Sequence, residues 1–502
     1  MAIQGLVNGR FGVRAGYLLA AFGGAAAIGC SSTTTFSEGS AEQAGTSSTP
    51  NPSSGGHEPG AVAGRASQTG SGGAMTGGDA PLGDAGAPEV VEAKQYPGHG
   101  FIVHEWGTDT IVVGSDGSLQ RGLHHEEEDL PGFVYDRLKA APGSPPSVNV
   151  KMETPVTYFY SDVPLSVQAR VTFPKGLLTQ WYPAARKFAP QIAAPGSALT
   201  GAPLAYADPV LDTTFPFGSQ LCRDKFSALA GGELDWGAVS VLARGSDVAA
   251  KLPNAPLSEF GWSYARDVDA NPVQTLNGET ERFLFYRGLG DFDLPVKVQA
   301  GAQGHVALTN GYSEPVGRVF VLNVGAERAA FSERRAGIAP GATLNDLAPS
   351  LDAAASLDDY ASELGGAVTR ALDATGLYHD EATAMVNTWK RQWFRTPGVR
   401  VLYLIPQTWT DASIPLSVTP SPDEMLRVML IRVEVITPEQ EASDIKALKL
   451  LDTDASQGAH FAELGRFAEP RLRRALALSP SKSGEAYLSQ IKSANTAIAS
   501  GE

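Results

Sequence analysis

The chain has 502 residues, room for two or three domains, and its apolar fraction of 43% supports a substantial core. Its net charge is −15, with Asp+Glu 54 against Lys+Arg 39 and no Lys/Arg cluster. Nucleic acid is excluded as a partner, because phosphate contacts need such clusters. A zinc site built on several thiolates is excluded by the two cysteines, Cys30 and Cys222, whose contexts differ too much for a disulfide.

The first element is an export signal. Arg10 and Arg14 precede a small apolar run that extends from about residue 15 to Gly29 with no acid. That is the n-region and h-region of a secretory signal, too short and glycine-rich to span a membrane. Its last residues, Ala27-Ile28-Gly29-Cys30, resemble the lipobox of bacterial lipoproteins, with Ala27 standing where leucine is usual. The departure leaves ordinary signal-peptidase cleavage as the alternative. The resemblance implies that residues 1–29 are a signal peptide and that Cys30 is diacylated as the mature N-terminus. It also implies an exported, membrane-anchored lipoprotein of the bacterial cell envelope with an outer-membrane address.

Residues 30–95 are Ser, Thr, Gly, Pro and Ala with almost no bulky side chain, so they bury too little to fold. About 60 such residues make a flexible tether with a reach of roughly 40–50 Å.

Order is expected from Tyr96. From there to residue 345 short β-rich runs alternate with Gly, Pro, Asn and Asp: "FIVHEW", "DTIVVG", "SVNVKMETPVTYFYS" and "PLSVQARVTF", then "GAVSVLAR", "RFLFYRGLG", "LPVKVQA", "HVALTN" and "GRVFVLNVG". The third and fourth runs, joined by Asp-Val-Pro, predict a strand pair. The period changes in residues 346–502. "SLDDYASELGGAVTRALDATG" and "HDEATAMVNTWKRQWF" read as helices with Gly376 between them, and "VRVLYLIPQTW" and "EMLRVMLIRVEVITP" return to strand. Helical segments follow Pro438. The expected fold is mainly β, an antiparallel sandwich or barrel-like body, followed by an α+β C-terminal region. The stretches "HEWGT", "KMETPVTYFYS" and "MVNTW…WF…GVRVLYLIP" resemble a family of uncharacterised exported bacterial proteins. That resemblance implies one coherent unit after residue 97 and no activity.

Two segments carry the candidate chemistry. On a straight strand Ile102, His104 and Trp106 share one face, and Val103 and Glu105 the other. His104 and Glu105 therefore bind one ion together only if Gly107 turns the backbone. The second segment is His124, His125, Glu126, Glu127, Glu128 and Asp129. One helical turn would pair His124 with Glu128. Together with His104 across a hairpin, His124, His125 and Glu128 form a candidate site for one divalent ion, zinc, manganese or iron. Glu126 or Glu153 would then be the general base for a metal-bound water. Set against this, His104 reads as a buried histidine bonded to a backbone carbonyl, and the acidic run as a solvated loop. Glu153 and Lys151, two apart, read as an ion pair at the sheet surface. Glu381, Met385, Trp389 and Trp393 form a packing stripe at spacing four, and first-turn acids suit the helix dipole.

No G-x-S-x-G elbow, P-loop, dinucleotide fingerprint or EF-hand loop is present. Two functions survive: an exported, lipid-anchored binding or assembly protein with a protein or polysaccharide partner, and a metal-dependent hydrolytic enzyme.

Overall fold

Two neighbouring strands show how burial sorts this chain. Every residue of Val156–Tyr160 is buried, whereas Leu165–Phe173 alternates between buried and exposed positions. A strand dry on both faces belongs in a sheet covered twice, and one with a wet face belongs to an outer layer. The two accordingly join different sheets instead of pairing with one another, the arrangement their sequence proximity predicts.

The computed structural model describes residues 91–123, 128–136, 148–189, 230–352, 354–454 and 458–500. The signal peptide and residues 30–90 of the tether, Cys30 among them, and likewise Cys222, His124, His125 and Glu126, lie outside the described residues. In chain order the strands open with β1 (Ile102–Val113), β2 (Tyr135–Asp136), β3 (Val150–Met152), β4 (Val156–Tyr160), β5 (Leu165–Phe173), β6 (Gly176–Tyr182) and β7 (Lys187–Ala189). Next come β8 (Gly232–Val241), β9 (Val273–Thr275), β10 (Thr280–Glu281), β11 (Leu284–Gly290), β12 (Val296–Ala300) and β13 (His305–Asn310). The series ends with β14 (Val319–Val324), β15 (Arg328–Arg334), β16 (Thr343–Leu347), β17 (Ala355–Ser356), β18 (Gly398–Ile405), β19 (Leu416–Thr419) and β20 (Glu424–Val435). The α-helices are α1 (Leu357–Asp373), α2 (His379–Trp389), α3 (Gln407–Ser413), α4 (Pro438–Leu451), α5 (Ala459–Ala462), α6 (Ala468–Leu478) and α7 (Lys482–Ser500).

The protein is mainly β, with large antiparallel sheets and a helical region after residue 355. An 11-stranded sheet runs β17-β15-β14-β18-β20-β1-β3-β11-β6-β2, with β4 beside β1 and β11. A 6-stranded sheet and the 3-stranded β12-β13-β16 stand apart from it. Among the described pairings only β1 with β20 is parallel, in register from Ile102 to Val113. Strands β18 and β20 thus sit inside the large sheet, between β14 and β1.

Alternation along β1 sets the layers. Val103, Ile111 and Val113 share a core with Val167 and Val171 of β5, Val239 of β8 and Leu308 of β13. Ile102 and Trp106 pack with Leu364 and Val368 of α1 and with Met385 and Trp389 of α2. Smaller sheets therefore cover one face of the large sheet and helices the other, a sandwich-like arrangement.

Gly107 does not break β1, whose 12 residues are all buried. A Cβ there would lie 2.7 Å from the Met429 sulfur and 3.0 Å from the Pro155 Cα. The glycine admits close packing between strands, and the backbone runs straight through it. Helix α1 starts on the Ser356 side chain, which accepts from the Asp359 N–H. Gly376 takes the left-handed conformation (φ +107°) between α1 and α2. Leu448, Phe461 and Leu472 form a small separate core under the C-terminal helices. Among the described residues no helix is long and apolar enough to cross a membrane.

Candidate functional site

His104 and Glu105 are neighbours in sequence that serve opposite faces of the sheet. His104 is fully buried on the helix side, where its Nδ1 lies 2.8 Å from Glu381 Oε2. Glu381 is also fully buried, in the first turn of α2. Its Oε2 further accepts the Tyr378 N–H at 2.7 Å, and its Oε1 accepts the Tyr160 hydroxyl at 2.8 Å. Three donors thus converge on one carboxylate. The Tyr378 and Tyr160 rings enclose the imidazole, with centroids 4.4 and 5.6 Å from it. Burial, then the Glu381 charge, pushes the Tyr160 hydroxyl well above its ordinary value, so it serves as a neutral donor.

The partner of His104 is a carboxylate, and not the backbone carbonyl expected for a buried histidine. Because the Glu381 carboxylate accepts here, Nδ1 is the donor of this bond. Nε2 has no hydrogen-bond partner. Facing it, at 4.0 Å, is Oε1 of Glu424, the first residue of β20, whose side chain is 58% exposed.

On the other face Glu105 is held by its own set. Its Oε1 accepts from Thr157 at 3.0 Å and Tyr286 at 2.6 Å, and Oε2 accepts from Arg427 Nε at 2.8 Å. Arg427 also reaches Asp411 at 2.9 Å. Burial lowers the Arg427 guanidinium, but the Glu105 charge, Tyr286 and the hydrogen bonds to Asp411 and Glu105 together outweigh it, and the net shift is upward.

The other sequence candidates are spread out. Glu128 Oε1 accepts the Gly261 N–H at 2.8 Å and Oε2 accepts from Gln392 at 3.2 Å. Gln392 follows α2, while Glu381 opens it. The 11-residue helix, about 16 Å long, therefore separates Glu128 from His104. Glu153 and Lys151 are each only 1% exposed, which corrects the expectation of a surface pair. The reason is position: β3 lies between β1 and β11, under the 3-10 turn Gly465–Phe467, and Arg466 of that turn pairs with Glu153. The Glu153 carbonyl also accepts from Arg287. Among the described residues no three His, Cys, Asp or Glu converge as a metal cluster.

Two further acids in the large sheet were not singled out from sequence. Burial, and then Glu153, raises the Asp109 carboxyl to about 7, and neither of its oxygens has a hydrogen-bond partner. For Glu434 burial also pushes upward, but Arg400 and Arg432, at 2.8 and 2.6 Å, outweigh it and bring the group down to about 2. Glu381 did leave a signal: it shares the four-residue spacing of Met385 and Trp389. An acid on an apolar helix stripe implies a buried partner.

No protein family matches the chain, and no curated protein is similar to it. Among solved structures, the yeast delta-COP-I mu-homology domain complexed with Dsl1 WxWxV peptide is similar at a TM-score of 0.23 and 9% identity, covering 67% of this chain and 98% of that one. At that score the likeness carries neither fold nor function to this chain.

Proposed function

We propose that this is an exported, lipid-anchored binding or assembly protein of the bacterial cell envelope, with a protein or polysaccharide partner. The observation that carries the reading is the order of features along the chain. A basic start, a short apolar run and Cys30 lead into about 60 residues of Ser, Thr, Gly, Pro and Ala with almost no bulky side chain. These lead into β1, a central strand of the large sheet. The tether would thus end in a strand buried along its whole length, a firm attachment for a body held clear of a membrane.

The competing reading, a metal-dependent hydrolytic enzyme, has weaker support. Glu153, one of its two candidate bases, is committed to Arg466, and Glu128 is committed to Gly261 and Gln392. Fractionation of cells making a Cys30→Ser variant tests the anchored reading. The folded variant is expected to leave the membrane pellet for the soluble fraction. Retention in the pellet would contradict anchoring at Cys30.

A further inference from the structure

We propose that residues 92–100 form a strap that opens and closes over the buried His104–Glu381 cluster, with Tyr96 as its anchor. The strap forms no helix or strand, and of residues 92–99 only Tyr96 is buried. The Tyr96 ring stacks on Tyr160, with centroids 5.6 Å apart, and the Arg244 guanidinium carbon lies 5.1 Å from its centre. Its hydroxyl donates to the Gly100 carbonyl at 2.8 Å. That bond folds the strap back on itself through Gly98 and Gly100, both left-handed (φ +82° and +83°).

The strap meets neighbours of the cluster on three sides. The Lys94 carbonyl accepts the N–H of His379, next to Tyr378, at 3.2 Å. Where the strap ends, the Phe101 N–H donates to Asp423, next to Glu424, at 2.8 Å. Between them Tyr96 covers Tyr160, whose ring is 5.6 Å from His104 and whose hydroxyl bonds to Glu381. A single ring thus separates Tyr96 from the imidazole.

Opposing terms set the balance between the two states. Closure buries one aromatic ring in a stack and against a cation. It also keeps His104 Nε2 buried without a hydrogen-bond partner, a cost that water relieves when the strap opens. The freed strap regains backbone entropy as well. Opening stops at the strap, because β1 buries all 12 of its residues and is paired on both sides. The open form presents an imidazole, a carboxylate and a phenol hydroxyl together, a hydrogen-bonding set that the closed form hides.

The test is modification of His104 by diethyl pyrocarbonate, read peptide by peptide by mass spectrometry, with hydrogen exchange of the β1 amides alongside. His104 of the wild-type protein should react slowly. Tyr96→Ala should speed its modification about tenfold or more while β1 exchange stays as it was. Tyr96→Phe, which keeps the stack and loses only the bond to Gly100, should fall between the two. A His104 equally protected in Tyr96→Ala would overturn the proposal. So would a rise shared with β1 exchange, since the whole sheet would then have loosened and not the strap. No membrane enters the measurement, so its outcome and that of the Cys30→Ser experiment are independent.

Discussion

The two faces of the large sheet treat buried charge differently. On the helix side, α2 brings Glu381 and the Tyr378 backbone to His104, and Arg400 of β18 and Arg432 of β20 itself enclose Glu434. On the side covered by the smaller sheets, Glu105 meets Arg427, Thr157 and Tyr286, but Asp109, two pairs further along the same face, meets no donor. Tyr403 shares that core, and its hydroxyl too lacks a partner. The smaller sheets contribute mainly Val, Leu and Phe there. A helix start or a neighbouring arginine can neutralise a buried charge locally; an apolar layer can only raise the cost of ionising it.

The largest effect should follow from breaking a satisfied pair. Arg427→Met leaves Glu105 buried without its cation and should cost about 3–5 kcal/mol in urea unfolding. Replacing both, Glu105→Leu with Arg427→Met, should recover most of that loss. A single-variant cost below about 1 kcal/mol would mean that the pair is not what holds this face together.

A smaller effect, of opposite sign, is expected from relieving Asp109. Its carboxyl titrates at about 7 in the fold and at about 3.9 unfolded. Between those values the native state binds more protons than the unfolded chain, so stability declines as pH rises from about 4 to about 7 and is level above. Asp109→Asn should abolish that decline and stabilise the protein at pH 8 by up to about 4 kcal/mol. Parallel pH profiles for the two proteins would refute the assignment. Glu434, lowered to about 2, acts in the other direction: its contribution is present above about 4.5 and is lost as pH falls towards 2.

Much of this division was legible in the sequence, and some was hidden for physical reasons. The alternation of residues 102–106 places His104 and Glu105 on opposite faces, because the period of a strand is fixed by its geometry. The separation of "VTYFY" from "LSVQARVTF" was not legible: their adjacency predicts a strand pair, and burial on both faces of the first sends them to different sheets. Hidden were the partners: Glu424 and Glu381 lie some 300 residues from His104, and only the parallel pairing of β1 with β20 and the seat of α2 bring them together. The expectation of a wet Lys151–Glu153 pair failed because nothing local shows that the 3-10 turn at Gly465–Phe467 covers β3.

The claim on which the functional account rests concerns the N-terminus of the mature protein. Mass spectrometry of the N-terminal peptide from the membrane fraction tests it most directly. The account predicts a chain that begins at Cys30 and carries a diacylglyceryl group on its sulfur. A mature chain that begins elsewhere, or an unmodified Cys30 in that fraction, would contradict it.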